Sequence, residues 1–319
     1  MQIKGYSIVV RISFSWNESF TQVNVIQKAW IDISSKQEKG LDDYFSFLHD
    51  IRNFLSLLMD APTCILEMNA KTKANRTILE DGREIHDPIQ IRRYIPEWQT
   101  AIRTTYQNEM LFSLPDIQNQ FEVHLRNWIG KAESLRPVYD LFFATRHNPY
   151  IYVESLFLSL TQAIETYHRR KYGGKYQSDE DYRNDLYKRF LDVLPPNLDK
   201  CFREALKKGK LLFANEYSLR KRLKKIAKGI CSNLPIGFFS QKNKKRLEIF
   251  IEKVHNTRNY LTHYTCELRD KAVRDPIELH QIAQRLRVIL EICLLEEADF
   301  SFDDIKRMLS KDRQQDKII

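Results

Sequence analysis

Between Val153 and Tyr167 the apolar residues Val153, Leu156, Phe157, Leu160, Ala163, Ile164 and Tyr167 recur at spacings of three and four, and the same period returns at Leu279, Ile282, Ala283, Leu286, Ile289, Leu290, Cys293 and Leu294. Such stripes line one side of a helix of about 3.6 residues per turn, and each can be buried only against another apolar face. Two full stripes in the second half of the chain therefore require a helical bundle there. Shorter helical periods lie between them. Leu186, Phe190, Val193 and Leu194 close at Pro195-Pro196, and Leu198, Cys201, Phe202, Ala205 and Leu206 close near Gly209.

The first half reads differently. Tyr6, Ile8, Val10, Ile12, Phe14 and Trp16 alternate as strand residues do, and a second run from Val23 to Ile33 follows a polar turn. From Leu41 the period becomes helical through Phe45, Leu48, Ile51, Phe54 and Leu58, ending before Ala61-Pro62. Two further strands are expected at Cys64–Met68 and Glu109–Phe112, flanking a turn at Asp81-Gly82-Arg83. A helix opening at Asp116 is expected to run to Arg136-Pro137, and the turn-rich Arg146-His147-Asn148-Pro149 marks the break before the bundle. The fold class is mainly α. A mixed α/β N-terminal region, 1–114, leads through a connecting helix, 115–148, into a helical domain, 149–300, and a C-terminal helix and tail, 301–319.

Among the 319 residues no apolar run approaches the roughly 18 uncharged residues of a membrane span, and the N-terminus has no signal-peptide character, so the cytoplasm is the expected compartment. The five cysteines form no C-x-x-C pair, which argues against a zinc knuckle or a disulfide framework. Charge is placed unevenly. Residues 1–150 are balanced, with 17 Lys+Arg and 18 Asp+Glu, whereas residues 201–250 alone hold 14 basic and 3 acidic side chains. A local field of one sign suits a polyanion; its plain alternative is a solvated basic helix face. The cations are Lys207, Lys208, Lys210, Arg220, Lys221, Arg222, Lys224, Lys225 and Lys228, the last six on a helix with an N-cap at Ser218. With apolar residues at Leu219, Leu223, Ile226 and Ala227, its cations are expected to face away from the core.

Downstream of a further basic cluster, Lys242, Lys244, Lys245 and Arg246, comes Thr257-Arg258-Asn259-Tyr260-Leu261-Thr262-His263-Tyr264. A metal-free ribonuclease needs a group that moves protons near neutrality and a fixed cation facing the phosphorane oxygens, and His263 and Arg258 suit these tasks. Asn259 lies four residues from His263 and shares its helix face. Arg258 and His263, five apart, do not converge on a straight helix, so either the helix begins or bends between them or two copies share a site. The neutral alternative makes Arg258 an exposed helix charge and His263 a core-edge histidine. A metal nuclease finds little support, because His255 and His263 have no carboxylate placed to complete a site.

The stretch from Thr257 to Tyr264 resembles the R-x4-6-H motif of HEPN-domain ribonucleases, and in its wording the ApeA-like branch of antiphage defence proteins. Gln162–Tyr172, Ser218–Leu223 and Leu290–Leu295 resemble the same branch in the same order. The resemblance covers about 150–300, with residues 1–114 reading as the end of a longer family N-terminal region. It implies a HEPN-type bundle that dimerises and a metal-independent endoribonuclease without cofactor, with RNA, and transfer RNA in particular, as partner. Arg258 and His263 would be catalytic with Asn259 beside them, and Glu165, His168 and Tyr264 would support them. A non-catalytic dimeric RNA-binding or scaffold protein is the competing reading.

Overall fold

In the computed structural model residues 1–19, 21–72, 74–92, 105–148 and 150–311 are described. The expected tail at 312–319 and Pro149 of the expected break lie outside them. The chain forms two compact units, one from Met1 to Asn119 with the residues from Arg146, the other from Gln120 to Thr145 and from Tyr150 onward.

The first unit opens with β1 (Gln2–Ile3), β2 (Tyr6–Ser19) and β3 (Gln22–Ser35), an antiparallel sheet in that order. The β2–β3 register pairs Ile8 with Ile33, Ile12 with Ala29 and Trp16 with Val25. Because side chains alternate, one face of this ribbon carries Ile8, Val10, Ile12, Phe14 and Trp16 while the other carries Ser7, Arg11, Ser13 and Asn17. Ile8 is buried, but exposure rises along the ribbon to 60% at Phe14 and 64% at Trp16. Helix α1 (Leu41–Leu58) buries Phe47, Ile51, Phe54, Leu57 and Leu58, and Phe47 stacks on Tyr6 with ring centroids 4.2 Å apart. Two short antiparallel pairs follow, β4 (Asn69–Ala70) with β7 (Ile89–Gln90) and, nested inside, β5 (Arg76–Ile78) with β6 (Glu84–His86).

Neither Cys64–Met68 nor Glu109–Phe112 is a strand. The first run is irregular up to β4, and Glu109 ends a short 3₁₀ turn. Leu111 and Phe112 are buried nonetheless, and the Phe112 amide donates to the Leu58 carbonyl at 3.1 Å. A short apolar run records burial rather than a ladder partner.

Helix α2 (Leu114–Ile117) is a single turn, and α3 (Phe121–His147) continues past Pro137 instead of ending there. Trp128 and Tyr139 lie 11 residues apart, about 16 Å along a straight helix, yet their rings stack at 4.1 Å. The helix therefore turns sharply between them, as helices do at proline, and the burial of Val138, Phe142 and Phe143 holds the continuation.

In the second unit α4 (Val153–Tyr172) is central, packing against α8 (Leu219–Asn233), α9 (Lys244–His263) and α11 (Pro276–Glu297). Its expected stripe is inside: Leu156, Phe157, Leu160, Ala163, Ile164 and Tyr167 are all buried, each contributing roughly 1.5–3 kcal/mol for the larger side chains. Between α4 and α8 run α5 (Asp179–Asn184), α6 (Leu186–Asp192), α7 (Lys200–Ala205) and a π-helical turn, Leu206–Leu211. The turn α10 (Cys266–Arg269) joins α9 to α11, and α12 (Phe302–Leu309) follows. Among the described residues no helix is long and apolar enough to cross a membrane.

Candidate active site

Helix α9 buries Leu247, Phe250, Ile251, Val254 and Thr257, and the Thr257 hydroxyl accepts the Val273 amide at 2.9 Å. With about 100° between successive residues, this set fixes the helix rotation. Arg258 stands at the rim of the buried face; His263, about 140° further round, stands opposite the core. No break separates them, since α9 is continuous to His263. It stops there because Tyr264 adopts the left-handed conformation, φ 51°, and returns its amide to the Tyr260 carbonyl. His263 is exposed, and its ring has no hydrogen-bond or ion-pair partner among the described residues. It is not a core-edge histidine. Tyr264 is 67% exposed, its ring edge-on to Tyr260.

Arg258 is held on two sides. One guanidinium nitrogen, Nη2, lies 3.6 Å from Glu165 Oε2 on α4, and Nη1 donates to Asn259 Oδ1 at 3.1 Å. Its side chain is still 36% exposed. With its oxygen committed, Asn259 turns Nδ2 to His255 Nε2 at 3.2 Å, so neutral His255 carries its proton on Nδ1. Burial lowers the His255 pKa, and Arg220 and Arg258 push the same way against Glu252.

Glu165 does not orient His168. It reaches Arg169 at 3.6 Å, Arg169 reaches Glu216 at 2.8 Å, and Glu216 reaches Arg222 at 3.4 Å. The result is a ladder of alternating charge from Arg258 to Arg222. The Glu165–Arg169 rung has the i,i+4 spacing of helical ion pairs and is visible in the sequence. Glu216, from the loop before α8, carries no such signal.

Arg222 corrects an expectation. It is wholly buried and cannot meet a ligand, because it lies three residues after Leu219, on the inward side of α8 with Leu223 and Ile226. Its guanidinium donates to the carbonyls of Tyr217 at 2.9 Å and Gly173 at 2.9 Å and lies 3.3 Å from His168 Nδ1. Burial, then Arg222 and Lys225, lower the His168 pKa to about 4. Gly174 permits the packing: its φ is +85°, and a Cβ there would stand 2.7 Å from Arg222 Nη1.

The remaining cations keep to the outer side. Ser218 caps α8 by accepting the Lys221 amide, and Lys224, Lys225 and Lys228 are exposed. Arg220 pairs with Glu252 at 2.8 Å. Lys207, Lys208 and Lys210 belong to the π-helical turn, where Lys208 pairs with Glu204 at 3.1 Å. Among the described residues no three His, Cys, Asp or Glu side chains are grouped to hold a metal ion.

The Apea-like HEPN family model matches residues 158–304, and the model for ApeA N-terminal domain 1 matches residues 3–128. The chain belongs to the ApeA-like HEPN family. Its HEPN match starts inside α4 and ends inside α12, so Glu165, Arg258, Asn259 and His263 all fall within it, and the N-terminal match ends inside α3. ApeA-like HEPN domains indicate a nuclease-type antiphage defence family. Comparisons with curated proteins and with solved structures gave no match.

Proposed function

We propose that the protein is a metal-independent endoribonuclease of the HEPN type that cuts RNA, with transfer RNA as the favoured target class, in cytoplasmic antiphage defence or as a toxin. One observation carries the reading: a tethered yet accessible arginine, Arg258, and an exposed histidine without a partner among the described residues, His263, occupy one helix. In the reaction His263 takes the proton of a ribose 2′-hydroxyl, the 2′-oxygen attacks the adjacent phosphorus, and the bond to the 5′-oxygen breaks. The departing 5′-oxygen takes up a proton, leaving a 2′,3′-cyclic phosphate and a 5′-hydroxyl. Arg258 faces the non-bridging oxygens as their charge grows, with Glu165 and Asn259 fixing its guanidinium.

The rotation of about 140° between Arg258 and His263 favours a homodimer in which each site takes its arginine from one copy and its histidine from the other. The exposed cations Lys208, Lys210, Arg220, Lys224, Lys225 and Lys228, with the half-buried Lys207 and Lys221, hold the RNA backbone. In this reading 149–300 carries the chemistry, 115–148 connects it to 1–114, and 301–319 closes the chain.

The test is cleavage of RNA by the purified protein in excess chelator, with end-group analysis. Cyclic phosphate ends are expected, with losses of about 10²–10⁴-fold for His263→Ala and Arg258→Ala. Products with 5′-phosphate ends, or variants as active as the parent, would overturn the mechanism. Salt-sensitive RNA binding with no turnover would identify a binding protein instead.

A further inference from the structure

Beyond the ladder from Arg258 to Glu216, the next residue in the chain is Tyr217, and it belongs to a compact group of rings and ammonium ions. Lys221 Nζ lies 3.7 Å from the ring centre of Tyr176 and 4.0 Å from that of Tyr217. Lys225 Nζ lies 4.4 Å over Tyr217 and donates to its hydroxyl at 3.2 Å. The two rings meet edge to face, centroids 4.8 Å apart.

Tyr176 is presented rather than packed. Its side chain is 57% exposed and its hydroxyl has no partner among the described residues. The loop that carries it is nevertheless pinned. The Tyr176 amide donates to the Asn215 carbonyl at 2.9 Å, and the buried Asn215 side chain bonds both the amide and the carbonyl of Gln177 at 2.9 Å. An exposed ring on a fixed backbone loses little conformational freedom when a flat ligand covers it. Lys221 and Lys225 of α8 stand at the rings, while the chain beyond Tyr176 turns acidic at Asp179, Glu180 and Asp181, of which Asp179 is paired with Lys175 at 2.5 Å.

We propose that Tyr176, with Tyr217 and Lys221, forms a stacking subsite for one unpaired nucleotide of single-stranded RNA. The base lies on the Tyr176 ring, and its phosphates run on the Lys221–Lys225 side, away from the acidic turn of α5. Base–aromatic stacking is indifferent to base identity, and neighbouring lysines give it affinity and direction. A continuous duplex has no base free to enter, so the subsite selects loops, bulges and ends. The proposal rests on RNA being the ligand and does not require turnover.

The test uses the full chain carrying His263→Ala, so that binding is measured without cleavage, and an unstructured fluorescent 12-nucleotide RNA. Adding Tyr176→Ala weakens binding about tenfold and leaves the salt slope unchanged. Tyr176→Phe binds within about twofold of the parent, and Lys221→Ala lowers the salt slope by about one. A blunt duplex of the same strand loses the Tyr176 dependence. Equal binding by the Tyr176→Ala protein, a Phe variant as weak as the Ala variant, or the same Tyr176 effect on duplex and single strand would each overturn the subsite. Tyr176-dependent binding by a parent that cleaves nothing would support the subsite and sink the nuclease reading. Cleavage with Tyr176-independent binding would do the reverse.

Discussion

Arg258 and Glu165 face each other across α9 and α4, guanidinium nitrogen to carboxylate oxygen at 3.6 Å. The pair is half open to water, so its worth to folding is about 0–1 kcal/mol. Its use is directional, because it turns the guanidinium of the motif toward α4. Glu165→Gln should reduce RNA cleavage roughly tenfold to a hundredfold, as misplacement of a positioned group does, with the urea midpoint hardly moved. A loss of activity tracking an equal loss of stability would mean that Glu165 serves the fold alone.

The rotation between Arg258 and His263 makes a prediction about mixtures. Arg258→Ala and His263→Ala proteins should each be inactive, yet after mixing and subunit exchange about a quarter of parental activity returns, since half the dimers are mixed and each holds one complete site. No recovery despite demonstrated exchange would place both residues in one copy's site.

Arg222 and Lys224 stand two residues apart on α8 and should behave as different kinds of residue. Arg222→Ala leaves a large hole beside buried His168 and frees the carbonyls of Tyr217 and Gly173, and should cost about 3 kcal/mol, while Glu216 keeps Arg169. Lys224→Ala should leave stability alone and lower the salt slope of RNA binding by about one. Urea titration and binding at several salt concentrations separate the two.

Gly174→Ala should cost about 2–4 kcal/mol, from a positive-φ alanine together with a Cβ pressed on a buried guanidinium. The predicted contacts are 2.7 Å to Arg222 Nη1 and 3.0 Å to His168 Cε1. An unshifted urea midpoint would show that the loop relaxes freely.

His168 sets a pH dependence. Its folded pKa is about 4, below the ordinary 6.5, because of burial and then Arg222 and Lys225. Below pH 6.5 the unfolded chain binds a proton that the folded chain refuses. The stability is therefore whole above 6.5 and is lost toward 4, at up to about 1.4 kcal/mol per pH unit. His147 in the other unit is displaced likewise to about 4, first by burial. His168→Asn should flatten the acid limb for the helical unit, followed as urea midpoints by circular dichroism at pH 7, 6 and 5. An unchanged limb would clear His168 of the effect.

The stripes on α4 and α11 were legible because a helix repeats its pattern, and each repeat restates the same inward direction. Ser218 as a cap was legible for the same local reason. What local pattern does not contain is a partner. Cys64–Met68 reads as an apolar strand but pairs with none among the described residues, and Pro137 looks like a terminus only until the burial of Phe142 and Phe143 beyond it is known. At the site the motif located Arg258 and His263. Arg169 and His255 stand one helical turn from Glu165 and Asn259 and carry that local signal, whereas Glu216 emerged only from tertiary proximity. Arg222 is a case where the period was informative and the charge was misleading: its position relative to Leu219 already pointed it inward.

The β2–β3 ribbon has a practical consequence. Its apolar face is exposed toward Trp16, and the outer edge of β3 pairs with nothing among the described residues, which leaves a ladder open to any similar strand. Strongly salting-out ions such as sulfate tighten apolar association, whereas under the proposed function the cations of α8 would release RNA only as ionic strength rises. Removing any co-purified RNA with sulfate would thus drive the ribbons together, and chloride is the salt expected to free one surface without gluing the other.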